Sequence, residues 1–335
     1  MGQMARFISR LVIIGSVGLL TIGGSAWLFN TWLHKPGPLR NQQTIVLPPG
    51  LSVQAIANRL LLVGAIERAV LFRVAVRLRP GDKFLKAGEY QIAPGSSPDI
   101  IIKKLITGET VIHKITVPEG LTVSQVYALV AEATALSGTI NIGVEEGFLL
   151  PNTYHYSLDH SKNKMLQQME DLMRDTLTNQ WNNRDANLPY GRPLDALILA
   201  SIIEKETSLP DERQRVAAVF VNRLRLGMPL QSDPTVAYGV TKGKRPLGRP
   251  LKLEELRDST NPYNTYRHLG LPPGPIANPG TASLAAALSP LITDDLYFVA
   301  DGKGGHNFAK TLSEHNKNVA LWKKYRSQTL DCGAC

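Results

Sequence analysis

The sequence predicts an α+β protein: one N-terminal transmembrane helix, a small α+β module, then a larger α+β domain with a helical core around a single glutamate. Three observations predict this. The stretch from Leu11 to Phe29 is uncharged and rich in Leu, Val, Ile and Gly, close to the ~20 residues that span a bilayer. Three short β-prone runs each lead through a Pro/Gly turn into an amphipathic helical pattern. Further on, the apolar run Leu194 to Ile203 ends abruptly in two acids, Glu204 and Glu206. At 335 residues with 43% hydrophobic content, the chain has room for two domains. Its 37 Lys plus Arg exceed 28 Asp plus Glu, giving +9 at pH 7. That charge favours anionic partners such as lipid headgroups, nucleic acid or acidic polysaccharide. No aromatic-rich basic motif, zinc spacing or helix-turn-helix pattern accompanies it, so no nucleic-acid partner is expected.

The expected order is a cytoplasmic N-terminus (1–10), a signal anchor (11–33), a stalk (34–43), the module (44–112), the larger domain (113–327) and a flexible tail (328–335). For the anchor, a cleaved signal peptide competes, since Arg6 and Arg10 make a basic flank and Gly23 to Ala26 offer small residues. The run exceeds the usual h-region of ~7 to 15 residues, and Trp27 and Trp32 look like interfacial anchors, which favours an uncleaved helix. Arg6 and Arg10 then place the N-terminus in the cytoplasm and the rest of the chain outside an inner membrane. Pro36, Gly37 and Pro38 mark the stalk.

The repeated units begin at Ile45-Val46-Leu47-Pro48-Pro49-Gly50, at Tyr90-Gln91-Ile92-Ala93-Pro94-Gly95 and at Ile115-Thr116-Val117-Pro118-Glu119-Gly120. Each continues through a Ser or Thr suited to capping a helix. The first, with a second helix around Ala65 to Leu78, resembles a LysM domain, a βααβ fold that grips N-acetylglucosamine in peptidoglycan or chitin; a spacer or docking module is the competing reading. The loop Glu145 to Tyr156 concentrates aromatic and polar groups and either lines a carbohydrate cleft or closes a small aromatic core. Lys162 to Asn182 reads as a solvated surface helix.

A helix starting at Pro193 puts Glu204 on the stripe of Leu197, Ala200 and Ser201, at the end of a buried face. Apolar walls, the helix C-terminus and the nearby Glu206 would all favour its protonated form, as a general acid requires. The alternative is that the helix emerges into solvent and both acids are hydrated. Beyond it, Ser208 and Pro210 open a second helix ending near Gly227. The loop Thr241 to Pro250 is basic and full of helix breakers, and it either meets an anionic ligand or is solvated. Leu296 to Ala300 reads as a buried strand. The Gly-rich Asp301 to Phe308 lacks the P-loop pattern, and His306 and His315 lack H-E-x-x-H, so no metal is expected. A last helix covers Leu312 to Tyr325. Cys332 and Cys335 sit in the tail without the βαβ context that a redox C-x-x-C needs.

Six segments, in order, carry a resemblance: L-A-S-I-I-E-K-E-T at 199–207, F-V-N-R-L at 220–224, L-Q-S-D-P-T-V at 230–236, Y-N-T-Y at 263–266, L-P-P-G-P-I-A-N-P-G at 271–280 and Y-F-V-A-D-G-K-G-G-H-N-F at 297–308. From about Ile45 to Tyr325 the chain resembles the MltG (YceG-like) family of endolytic murein transglycosylases. The resemblance implies a membrane-anchored lyase that cuts nascent glycan strands internally and leaves 1,6-anhydro-N-acetylmuramic acid ends. It implies peptidoglycan as substrate, the cytoplasmic membrane and peptidoglycan synthases as partners, and no cofactor. The family's essential glutamate falls on Glu204, while Glu206 is expected to point away and serve structure. Gln231, Asp233, Thr235, Tyr263, Asn264 and Tyr266 are the expected cleft residues. The family commonly has P-D-T-Y at 151–154, where this chain has Asn152. A glycan-binding scaffold without catalysis is the alternative.

Overall fold

The computed structural model describes residues 2–79 and 84–332. The chain divides into two compact units, one reaching to His113 and including Tyr156–Leu158, the other formed by Lys114–His155 and the chain from Asp159 on.

The first unit opens with α1 (Gly2–His34). Its segment Arg6–His34 is long and apolar enough to cross a membrane, and Thr21 and Thr31 return their hydroxyls to the carbonyls of Gly18 and Trp27. Of the two tryptophans read as interfacial anchors, Trp27 is exposed. Trp32 packs with Phe29 against the core of the module. Strand β1 (Gln43–Leu47), helices α2 (Val53–Leu62) and α3 (Ala69–Leu78), strand β2 (Gly88–Ile92) and helix α4 (Pro98–Thr107) follow. β1 and β2 pair antiparallel, Ile45 opposite Tyr90, and their inward residues join Leu60, Phe72, Ile101 and Leu105 in one core. The segment expected to be a stalk is hydrogen-bonded to the chain around Gly95. Gly37 N–H donates to the Gly95 carbonyl and Gly95 N–H to that of Leu39. A side chain at Gly37 would meet the Ser96 carbonyl oxygen at 2.4 Å, so Gly37 works by close approach and adds no flexibility.

The second unit contains β3 (His113–Thr116), α5 (Val123–Glu132), β4 (Leu136–Ser137), β5 (Thr153–Tyr156), β6 (His160–Ser161), α6 (Lys162–Asn182), α7 (Pro193–Glu206), α8 (Arg213–Arg225), α9 (Asp233–Thr241), α10 (Leu253–Arg257), α11 (Thr281–Leu288), β7 (Tyr297–Ala300), β8 (His306–Ala309) and α12 (Leu312–Cys332). Its sheets are small: β3 with β5, β4 with β6, β7 with β8. The core is helical. α7 is buried from Asp195 to Ser201 and on through Ile203, and packs against α6, α8, α9 and α11. A helix apolar on every side belongs in the centre of a domain, so the single stripe expected for it gives way to burial all round. α6 is half sunk, its Met165, Met169, Met173 and Leu177 facing the core.

All three strand-turn-helix units appear, and their glycines Gly50, Gly95 and Gly120 take φ of 82°, 67° and 76°, the left-handed region that glycine enters without strain. Ser52, Ser97 and Thr122 accept from the amides of Ala55, Ile100 and Gln125. α8 starts later than expected. Thr207 Oγ1 takes the Leu209 amide and a 3-10 turn covers Pro210–Glu212, so Ser208 caps nothing. β7 is half-buried and forms a hairpin with β8, and the Gly-rich stretch is its turn, closed by Lys303 and Gly305 amides on Asp301 Oδ1. α12 continues beyond Tyr325 into the span expected to be a tail. Cys335, and with it the C-x-x-C pair, lies outside the described residues.

Candidate active site

Glu204 lies in the last turn of the central helix α7, where three chain segments meet. Its side chain is only 6% exposed. Oε2 accepts from the Gly280 amide at 3.0 Å and from Ser283 Oγ at 2.7 Å, so the carboxylate sits at the N-terminus of α11, where a helix presents free amides and partial positive charge. The sequence reading counted only the negative C-terminal end of its own helix. Oε1 accepts no hydrogen bond among the described residues, and its charged neighbour is Arg213 Nη2 at 3.9 Å. The same guanidinium nitrogen lies 3.3 Å from Glu119 Oε2. Burial, then the charge of Glu204, pushes the Glu119 carboxyl above its ordinary value, and Arg213 draws it partly back.

The walls are tied together by Asn278, fully buried. Its Oδ1 accepts the Leu149 amide and its Nδ2 donates to the Leu121 carbonyl, both at 2.8 Å. Gly120 N–H donates to the Asn278 carbonyl at 2.9 Å, and Lys205 Nζ to that of Gly120 at 3.2 Å. Lys205 also lines a cleft of about 440 Å³ with Thr122, Asp233, Tyr238 and Arg245. Beside it Glu146 accepts from the Val123 amide at 2.8 Å and Tyr238 Oη at 3.3 Å, and burial pushes it up to about 6 against those bonds. The 145–156 loop contributes no side chain to the lining of this cleft. Glu146 stands by the cleft, while Phe148 and Leu150 enter the core and Tyr154 is buried.

The expected cleft residues separate into two sets. Asp233 lines the cleft and accepts from Tyr266 Oη at 2.6 Å. Tyr263 packs against Tyr238, with ring centroids 4.9 Å apart and planes tilted by 55°. Gln231 is exposed, with φ of 53°, and accepts from Arg223 Nη1 at 3.3 Å. Thr235 and Asn264, by contrast, are fully buried. The Thr235 hydroxyl lies 2.7 Å from the Ser232 carbonyl and 2.9 Å from Thr265 Oγ1. Asn264 Nδ2 donates to the carbonyls of Glu255, Leu256 and Asp258, and Oδ1 accepts the Tyr266 amide. The structure places these two away from solvent, with their polar atoms engaged in shaping loops.

Glu206 does face away from Glu204, toward Ser232, whose hydroxyl donates to Oε1. It is more than a surface acid, for burial pushes it up to about 7, with Asp233 adding to the rise and Ser232, His306 and Arg223 opposing it. Glu119, Arg213, Ser283 and Glu146 escaped the sequence reading. Glu119 stood in plain view inside a repeat, but its partner Arg213 is 94 positions away. Among the described residues no three His, Cys, Asp or Glu side chains converge as a metal site would require.

A mixed α+β domain built round a buried helix that carries a doubly hydrogen-bonded glutamate in its last turn defines the class. The chain belongs to the YceG-like family, whose profile matches residues 45–321. Over 89% of its length it is 34% identical to the endolytic murein transglycosylase of Bacillus subtilis, covering 90% of that protein. It is 28% identical to the endolytic murein transglycosylase of Streptococcus pneumoniae over 93% of its length, spanning 64% of that longer relative. A crystal structure of a yceG-like protein from Listeria monocytogenes, 33% identical, covers 83% of this chain and 99% of that one with a TM-score of 0.48.

Proposed function

We propose that this protein is an endolytic murein transglycosylase that cuts the bond between N-acetylmuramic acid and N-acetylglucosamine without water, with Glu204 as acid and base. The observation that supports the assignment of Glu204 is its geometry: one carboxylate oxygen is anchored by two donors and the other accepts no hydrogen bond among the described residues. Enzymes that hydrolyse glycosides pair two carboxyl groups at ~5 to 9.5 Å across the sugar. Here one suffices, because the nucleophile is carried by the substrate. Protonated Glu204 gives its proton to the bridging oxygen as the C1–O bond breaks. The resulting carboxylate takes the proton of the C6 hydroxyl as O6 closes on C1, and Glu204 is regenerated. Attack within one sugar is favoured by effective molarity. Asp233, Tyr263, Tyr266 and Gln231 hold the flanking sugars, aromatic faces against pyranose rings and polar atoms on hydroxyls.

In this reading α1 anchors the protein in the inner membrane with Arg6 and Arg10 on the cytoplasmic side, leaving the chain beyond α1 outside, where nascent strands and their synthases are found. The βααβ order of β1, α2, α3 and β2 supports a LysM-like role in gripping the strand. The test is digestion of purified sacculi by the full chain in detergent, with products read by mass spectrometry. Anhydro-ended internal fragments are expected. Hydrated reducing ends would mean a muramidase, and sedimentation with sacculi without products would mean a scaffold; either overturns the reading.

A further inference from the structure

The first unit presents an apolar face that its own core does not use. Along α3 the buried residues are Phe72, Ala75 and Val76. The outer stripe is Val70, Arg73, Val74, Arg77 and Leu78, residues that share one side of the helix. Val70 and Leu78 are 65% and 68% exposed. Together with Val53 and Val76, the first four residues of this stripe line a groove of about 390 Å³. The lining holds no aromatic ring and no hydroxyl, and its only polar side chains are the two guanidinium groups, so it does not suit a sugar. Arg73 and Arg77 have no hydrogen-bond or ion-pair partner among the described residues, whereas nearby Arg79 is committed to Asp99. Valine and leucine interleaved with cations on one helix face suit an anionic lipid surface. The apolar groups enter the headgroup boundary, and the arginine stems lie along it while their charged ends reach phosphate.

The attachment of the unit to α1 supplies the occupant. The uncharged run begins at Leu11, and the ~20 residues that cross the hydrocarbon layer reach Asn30. Phe29, Trp32 and Leu33 pack against the core of the unit, so that core meets α1 at the level of the headgroups. The chain that follows gives no slack, because Gly37 and Leu39 are both bonded to Gly95. Trp32 and Lys35 share a small cavity with Ile66 and Glu67, in the turn from which α3 starts. α3 therefore leaves from the foot of the anchor, and Leu62, 85% exposed at the end of α2, stands before the same turn. We propose that the face formed by Val70, Arg73, Val74, Arg77 and Leu78 docks on anionic phospholipid of the bilayer that α1 crosses; this rests on the reading of α1 as a membrane anchor. Two cations at an anionic surface favour the docked state by about 30-fold over the same face on neutral lipid, and salt screens the difference.

The test uses the full chain with Cys332→Ser and Cys335→Ser, and a single new thiol from Val70→Cys or Leu78→Cys that carries an NBD fluorophore. The protein is placed in nanodiscs of phosphatidylcholine with or without phosphatidylglycerol, and dithionite reduction of the dye is timed. Reduction should slow by about tenfold or more in the anionic discs at low salt and recover at high salt. Replacing both arginines, Arg73→Gln with Arg77→Gln, should abolish the difference between the lipids while the chain still co-elutes with the discs. Equal rates in the two lipids, or a difference that survives the loss of both arginines, would overturn the proposal. A chain that co-elutes with discs of neither composition would instead remove the anchor on which it rests.

Discussion

Replacing Glu206 by Gln gives the sharpest test of the electrostatics at the end of α7. Burial pushes the carboxyl from its ordinary 4.5 up to about 7 in the folded protein. The folded state therefore holds a proton that the unfolded chain releases near 4.5. Its contribution to stability is complete below about pH 4.5 and is lost as pH rises through about 7. At about 1.4 kcal/mol per pKa unit, that gap corresponds to about 3 kcal/mol. Gln is neutral throughout and its Oε1 still accepts from Ser232, so the variant escapes the loss. Denaturant unfolding of wild type and Glu206→Gln at pH 4.5, 6 and 8 measures it. The variant should gain about 3 kcal/mol on the wild type between the extremes, or ~6 to 12 °C in Tm. A difference constant with pH to within about 0.5 kcal/mol would refute the reasoning.

Asn278→Ala leaves the buried Leu149 amide without an acceptor and removes the bond to Leu121. A loss of about 2 to 4 kcal/mol is expected in the same unfolding assay, and a loss under 1 kcal/mol would show that the loops hold without it. Arg223→Lys should cost about 2 to 4 kcal/mol, since one ammonium cannot replace a fork that donates to the carbonyls of Leu296, Pro229 and Leu230. A variant as stable as wild type would show that the fork is dispensable.

What the sequence revealed depended on the range of the interaction. α7 was legible from Pro193 to its two acids because an apolar run, a first-turn proline and an abrupt charge are local signals. The caps Ser52, Ser97 and Thr122 were legible for the same reason, each bond spanning three residues. Thr235 and Asn264 were not, because a polar residue in a loop has the same appearance whether it faces a ligand or closes a turn. The attachment of the stalk was not legible, because Pro36-Gly37-Pro38 signals irregular backbone, while its bond to Gly95 is a tertiary contact. Glu119 and Arg213 meet Glu204 through three separate segments, and no spacing announces such a meeting. The buried state of Glu206 was hidden by its place at a helix end, where sequence implies solvent.

The claim that Glu204 alone carries the chemistry is tested most directly by comparing Glu204→Gln with Glu206→Gln on sacculi at pH 7, with anhydro-ended products counted by mass spectrometry and folding verified by thermal unfolding. Glu204→Gln should lose activity by about a thousandfold or more, as expected when the proton donor is removed, while Glu206→Gln stays within about fivefold of wild type, since Glu206 faces Ser232 and touches no reacting atom in this account. A folded Glu204→Gln protein that still releases anhydro ends, or a loss confined to Glu206→Gln, would contradict the account.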